Sequence, residues 1–359
     1  AFNSNGFTLG DGQFTSINYS SYDYVSWTFR KAEKFFDVLT YTGNGVAGRT
    51  VSHNLGSVPG MMIVKKTNAS TAWTIYHRSL GATKYLLFDT SDAGTQTARW
   101  NDTEPTSTQF TVGTSGGTND NGDTYVAYLF AHNNSDGEFG PDGDADIIKC
   151  GSYTGNAGNP QVIDVGFEPQ LLMVKCTSDT GDWFVVDNMR GVLPDGGYPC
   201  NNLYWNKTDA ETLSGTFGFF ANGFTAGQSS STNGSGRTFI YMAIRRGPLA
   251  APDDATKVFA VDAFNSSDPR FTSGFPVDMA IATGTSSTSH NEVQTRLLGN
   301  SILKTSSTSS ETPNQSHIAF DYQTGHNETT YWNNTGAYSW MWKRAPSYFD
   351  VVAYTGAGA

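Results

Sequence analysis

Gly56-Ser57-Val58-Pro59-Gly60-Met61-Met62-Ile63-Val64-Lys65 is a polar turn feeding a short apolar run, and the chain carries it in three versions. The second is Gly166-Phe167-Glu168-Pro169 before Leu171-Leu172-Met173-Val174-Lys175. The third is Gly274-Phe275-Pro276 before Val277-Asp278-Met279-Ala280-Ile281. Such a run is too short for a buried helix and is bounded by turn residues, so it reads as a buried strand. Proline fits at the head of such a strand, where its missing N–H costs no ladder bond.

Outward from these strands, other landmarks recur. Tyr41-Thr42-Gly43-Asn44 returns as Tyr153-Thr154-Gly155-Asn156, and Trp73 through Gly81 aligns with Trp183 through Gly191. Asn5-Gly6-Phe7-Thr8 matches Asn222-Gly223-Phe224-Thr225. On a longer period, Ser26-Trp27-Thr28-Phe29-Arg30-Lys31-Ala32 reappears as Ser339-Trp340-Met341-Trp342-Lys343-Arg344-Ala345, and Tyr41-Thr42-Gly43 as Tyr354-Thr355-Gly356, both at an offset of 313. A constant offset over separate strings is the signature of internal repetition. It divides the chain into units at 36–132, 147–248 and 258–346, with 1–35 read as the end of a preceding unit and 347–359 as the start of a following one. The Asn-, Asp- and Gly-rich 133–146 and the stretch 249–257 read as linkers.

Each unit reads as strands. Phe36 to Tyr41 is rich in β-branched and aromatic residues, and Tyr125 to Ala131, Phe239 to Ile244 and Tyr338 to Trp342 form short aromatic closing strands. No window sustains a helical apolar stripe. Units of about 100 residues with frequent turns have the size of a β-sandwich. The expected fold is all-β, in tandem β-sandwich repeats. Gly43, Gly155 and Gly356 each follow a strand-ending Tyr-Thr, where a left-handed turn suits glycine.

Charged residues make up 15% of the chain and aromatics 13%, a mixture unlike that of disordered segments. The net charge of -11 disfavours nucleic acid and anionic membranes as partners. The longest strongly apolar run, Tyr125 to Ala131, is far too short for a membrane helix, so no membrane insertion is expected. Cys150, Cys176 and Cys200 lack metal-like spacing and read as isolated thiols, with a Cys150–Cys176 bridge as the alternative.

Two enzyme-like strings fail on context. Gly43-Asn44-Gly45-Val46-Ala47-Gly48 has dinucleotide spacing, but the chain continues extended and polar where a helix N-terminus would receive the pyrophosphate. Gly113-Thr114-Ser115-Gly116-Gly117 resembles a nucleophile elbow but runs into a polar loop instead of a helix. Asp142, Asp144 and Asp146 are spaced like the start of a calcium loop, yet Tyr153 stands where the bidentate Glu belongs. They are a weak calcium candidate beside the reading as a solvated linker. The segments holding Tyr76, His77 and Arg78, and Asp187, Asn188 and Arg190, mix aromatic and planar polar groups that suit a sugar, but the equivalence of Trp73 and Trp183 favours core packing. Nothing pairs Asp187 with Asp89, Glu211 or Asp321 at the controlled separation a glycosidase needs. No catalytic residue and no cofactor are expected.

Phe36-Asp-Val-Leu-Thr-Tyr-Thr-Gly-Asn-Gly45, Ile147-Ile-Lys-Cys-Gly-Ser-Tyr-Thr-Gly-Asn156, Phe275-Pro-Val-Asp-Met279 and Trp340-Met-Trp-Lys-Arg-Ala-Pro346 resemble an uncharacterised tandem-repeat domain of virion and tail-fibre proteins of marine phages, cyanophages among them. Such repeats are found beside laminin-G or concanavalin-like lectin domains. The resemblance implies jelly-roll or lectin-like sandwiches in a virion appendage at the particle surface or outside the cell. Its partners would be other virion proteins and a host-surface glycan, and its role attachment or spacing. A surface-polysaccharide lyase or hydrolase and a bacterial surface adhesin are the rival readings.

A fibre-like chain gains avidity by association, so a homo-oligomer, a trimer by expectation, fits this reading. Recognition belongs on loops that differ between units. Those loops carry Tyr198, Tyr204 and Trp205, and Tyr331 and Trp332, whose rings stand beside Asn and Asp and suit multivalent, non-catalytic glycan binding.

Overall fold

The computed structural model describes residues 2–3, 6–9, 24–96, 98–158, 160–192, 200–285, 290–298, 301–312, 318–320, 322–328 and 336–352. Among the described residues almost every regular element is a β-strand and every strand pairing is antiparallel, and helix is confined to one four-residue turn, Ser230–Asn233, and short 3-10 turns.

Three large sheets carry one strand order. In the first, the opening strand Phe36–Thr42 and the proline-led Pro59–Lys66 flank the closing strand Thr124–Ala131, and Thr74–His77, Lys84–Leu87 and Thr95–Gln96 follow outward. The second repeats this with Ile148–Thr154, Thr238–Arg245, Pro169–Cys176, Trp183–Asp187, Cys200–Tyr204 and Thr212–Ser214. The third runs Phe259–Ala263, Ala337–Trp342, Met279–Gly284, Glu292–Thr295 and Ile302–Lys304. Pro59 and Pro169 begin their strands next to a break in the ladder register, where the proline nitrogen is not needed as a donor.

A small sheet covers one face of each large one. Arg49–Ser52 pairs with Gln109–Val112 in the first unit, and Gln161–Asp164, Gly223–Ala226 and Phe217–Phe220 form the second. Phe271–Thr272, Gly325–Glu328 and Ile318–Ala319 form the third. Side chains alternate across a pleated strand. Leu172, Val174, Phe184 and Val186 therefore meet Ile163, Phe217 and Phe224 on the inner face of the second sheet.

The other face of that sheet is buried too. Cys150, Leu171, Met173, Val185, Ile240 and Met242 share one core with Met61, Ile63, Ile75 and Leu86 of the first sheet. Two-sided burial is why both proline-led strands read as continuous apolar runs rather than alternating ones. Polar bonds cross the same contact. Trp183 Nε1 donates to the Leu87 carbonyl at 3.0 Å, and fully buried Lys175 donates across it to the Ser91 carbonyl at 3.4 Å and, within its own unit, to those of Cys176 and Gly181. Burial holds the Lys175 ammonium down at about 8.

The recurring Tyr-Thr-Gly-Asn string now has a physical reason. The Tyr41 and Tyr153 hydroxyls each donate to a carbonyl, of Thr118 and Thr232, at 2.6 Å. The Asn44 and Asn156 amides donate to the side chains of buried Asn119 and Asn233 at 2.9 Å. Glycine is needed there for space, correcting the left-handed-turn expectation: a Cβ would lie 2.0 Å from the Asp120 carbonyl oxygen at Gly43 and 2.3 Å from that of Gly234 at Gly155. The left-handed glycine of the first turn is Gly45 (φ 68°). Gly356 lies outside the described residues.

The long-period repeat has a local counterpart as well. Ala32 bridges to Phe36 as Ala345 does to Phe349, Lys34 and Ser347 share φ 58°, and Lys31–Asp37 corresponds to Arg344–Asp350 as an ion pair. The third unit is clasped to the second by charge. Arg344 grips Glu168 with both terminal nitrogens at 2.8 Å, and Arg246 meets Asp278 at 2.5 Å.

All three cysteines are free and buried. Cys150 belongs to the core between the first two sheets and Cys176 to that on the opposite face of the second sheet, which leaves no bridge between them. No helix among the described residues is long and apolar enough to cross a membrane.

Candidate functional site

Of the five aromatics singled out on divergent loops, Tyr198, Tyr331 and Trp332 lie outside the described residues. Tyr204 ends its strand half-buried, its ring 5.0 Å from Phe184 with the Lys207 ammonium 4.8 Å from its centroid. Trp205 is wedged between Trp27 (5.7 Å) and Phe88 (5.0 Å). Trp27 in turn donates its indole N–H to Asp187, which is also paired with Arg190. These side chains tie the segment before the first unit to the outer edge of the second sheet. Trp73 and Trp183 both pack in the core shared by the first two sheets.

The weak calcium candidate does not assemble. Asp146 accepts from the backbone amides of Ser135 and Gly137, which closes the connector loop, while Asp142 and Asp144 are exposed. No metal-holding group of His, Cys, Asp or Glu exists among the described residues.

Two arrangements escaped the sequence reading. One is a polar interior in the third unit. Glu292 and Gln294, on one strand, face the small sheet, where the Gln294 amide donates to Glu328 at 3.3 Å. Burial raises the Glu292 carboxyl above its ordinary value. His326 is stacked between Phe271 and Phe320 and lies 2.8 Å from the Ser339 hydroxyl. Burial pulls its imidazole down to about 4. His326, Ser339 and Glu328 all have no solvent exposure, so a substrate has no path to them as the structure stands. The signal was legible as polar Glu292 and Gln294 at alternate positions around Val293, an inverted strand pattern.

The other is a groove of about 610 Å³ where the second and third units meet. Phe167, Arg245, Arg344, Tyr348 and Phe349 contribute to its walls. Arg344 is committed to Glu168 and Asp350, and Arg246 to Asp278. Arg245 donates to the Asp146 carbonyl at 3.2 Å and lies over the Phe167 ring, and Tyr348 is 42% exposed. A guanidinium and an accessible phenol lining one groove are suited to hydrogen-bonding and stacking on a hydroxylated ring. No single strand carries this site; it arises from residues about 80 to 180 positions apart in a fold whose contacts are mostly long-range.

No curated protein and no solved structure matches the chain. A family described as a domain of unknown function, DUF7483, matches residues 1–248, a span that closes with the last residue of the second sequence unit and covers more than half of the chain. The chain belongs to the DUF7483 family.

Proposed function

We propose that this chain is a non-catalytic structural segment of a virion appendage at the particle surface, joined to other virion proteins, that spaces and displays weak glycan contacts for host attachment. The observation that carries the structural part is the core shared by the first two large sheets, which makes two consecutive units one packed body rather than beads on a linker. The virion assignment rests on the sequence resemblance. We assign the glycan contact to the groove, because Arg245 and Tyr348 border open volume there while Trp205 is wedged between Trp27 and Phe88. A single contact of this kind is weak, so attachment depends on many copies acting together.

The test uses purified chain clustered on beads and the surface polysaccharide of marine cyanobacterial cells. The expected result is retention that grows with bead density, falls at least several-fold in Arg245→Ala/Tyr348→Ala, and releases no sugar fragments. Release of reducing or unsaturated fragments would replace attachment with a polysaccharide hydrolase or lyase. Retention unchanged in the folded variant would remove the groove.

A further inference from the structure

The three large sheets present the same row of positions on the face turned away from their small sheets. In the first, ladder partners run Val38–Tyr128–Ile63–Ile75–Leu86 across five strands. In the second, they run Cys150–Met242–Met173–Val185–Leu203. These two rows belong to one core and cover each other, like face on like face.

The third row is Val261–Trp340–Ile281–Val293–Leu303, equally apolar and in the same register. It is open. Val261 is 50% exposed, Trp340 37% and Leu303 40%, and Tyr338 beside them 42%. Along the closing strand the alternation is strict, with Ala337, Ser339 and Met341 buried and Tyr338 and Trp340 exposed. The strand Glu292–Thr295 goes further and turns its polar residues inward while Val293 faces out. A strand written apolar on its outer face is written for a covered face.

From this correspondence we infer that the outer face of the third sheet is an interface, and that its occupant is the same face of a second copy of this chain. The argument for that occupant is the contact already formed within the molecule: the first and second sheets show that this face, at these positions, is complementary to another of its own kind. No Asp, Glu, Lys or Arg stands in the row, so two copies meet there without opposing their net negative charge at close range. A face packed on its own copy is isologous and closes as a two-fold dimer, in place of the trimer expected from the fibre reading. Five strands about 4.8 Å apart and five residues of about 3.4 Å rise give a face of roughly 400 Å². Over both copies that is roughly 800 Å², below the roughly 1,200 Å² where stable specific interfaces begin and in the range of weak, transient contacts, so the dimer is reversible and concentration-dependent. The inference is independent of the virion reading.

The experiment is sedimentation velocity of the full chain from about 1 to 100 μM, beside Trp340→Lys and a second variant, Val261→Lys/Leu303→Lys, at positions exposed enough to tolerate lysine. The expected result is a mass rising from 38.8 kDa towards twice that value in the parent, and no rise in variants whose circular dichroism matches it. A parent that stays monomeric throughout, or that forms a trimer, overturns the inference. So does a dimer that persists in both folded variants, since another surface then makes it.

Discussion

At position 77 a histidine is fully buried between two sheets, and its hydrogen bonds decide its charge. The Ser79 amide donates to Nδ1 at 3.2 Å, so Nδ1 carries no proton and Nε2–H donates to the Tyr241 carbonyl at 3.1 Å. Burial holds the imidazole down at about 4. His53 repeats the arrangement with the Leu55 amide and the Thr106 carbonyl, and burial lowers its pKa as well. A group whose folded pKa lies below its unfolded value contributes stability that is present above the unfolded value, near 6.5, and is lost as pH falls through the folded one. We therefore predict a thermal midpoint that is steady above pH 7 and drops between pH 6.5 and 4, with His77 alone accounting for on the order of 3 kcal/mol. Calorimetry across that range checks it, and a midpoint independent of pH would contradict the neutral-histidine account. Gly43 and Gly155 make the complementary point: their identity was legible from the repeat, but its cause, a carbonyl pressed against the Cα, required the fold.

At the scale of elements, the strands led by Pro59 and Pro169 and the aromatic closing strands stand where the sequence reading put them, because short apolar runs between turns have few other ways to bury themselves. The third run differs: its strand opens at Met279, with Pro276, Val277 and Asp278 in the turn before it. What those strands bury against was not legible. Met173 and Leu172 are both apolar and adjacent, yet Met173 faces the first sheet and Leu172 the small sheet of its own unit. Composition does not distinguish a strand buried on both faces from one buried on one. Trp205 shows the same limit: beside polar residues it looks like a sugar platform, and the partners that occupy it, Trp27 and Phe88, are far away in sequence. Because the two sheets share a core, Met173→Ala should cost about 2–5 kcal/mol. It should also raise amide exchange in Pro59–Lys66 together with Pro169–Cys176. Exchange increased in the second sheet alone would show that the sheets open independently.

For the whole molecule, the order of layers is small sheet, large sheet, large sheet, small sheet, with a third sandwich clasped on through Arg344, Glu168, Arg246 and Asp278. That arrangement fits a spacer: stability resides in contacts between consecutive units, while the groove and the open sheet face lie at or beyond the last junction. The family match covers residues 1–248, a span that takes in both large sheets of the stacked pair. The most direct measurement is gold-labelled antibody against this chain on intact particles purified from a lysate in which the chain is produced, read by electron microscopy. The account predicts label on an appendage at the particle surface, at a fixed distance from the capsid. Particles that contain none of the chain, with the protein recovered only free in the lysate, would contradict it.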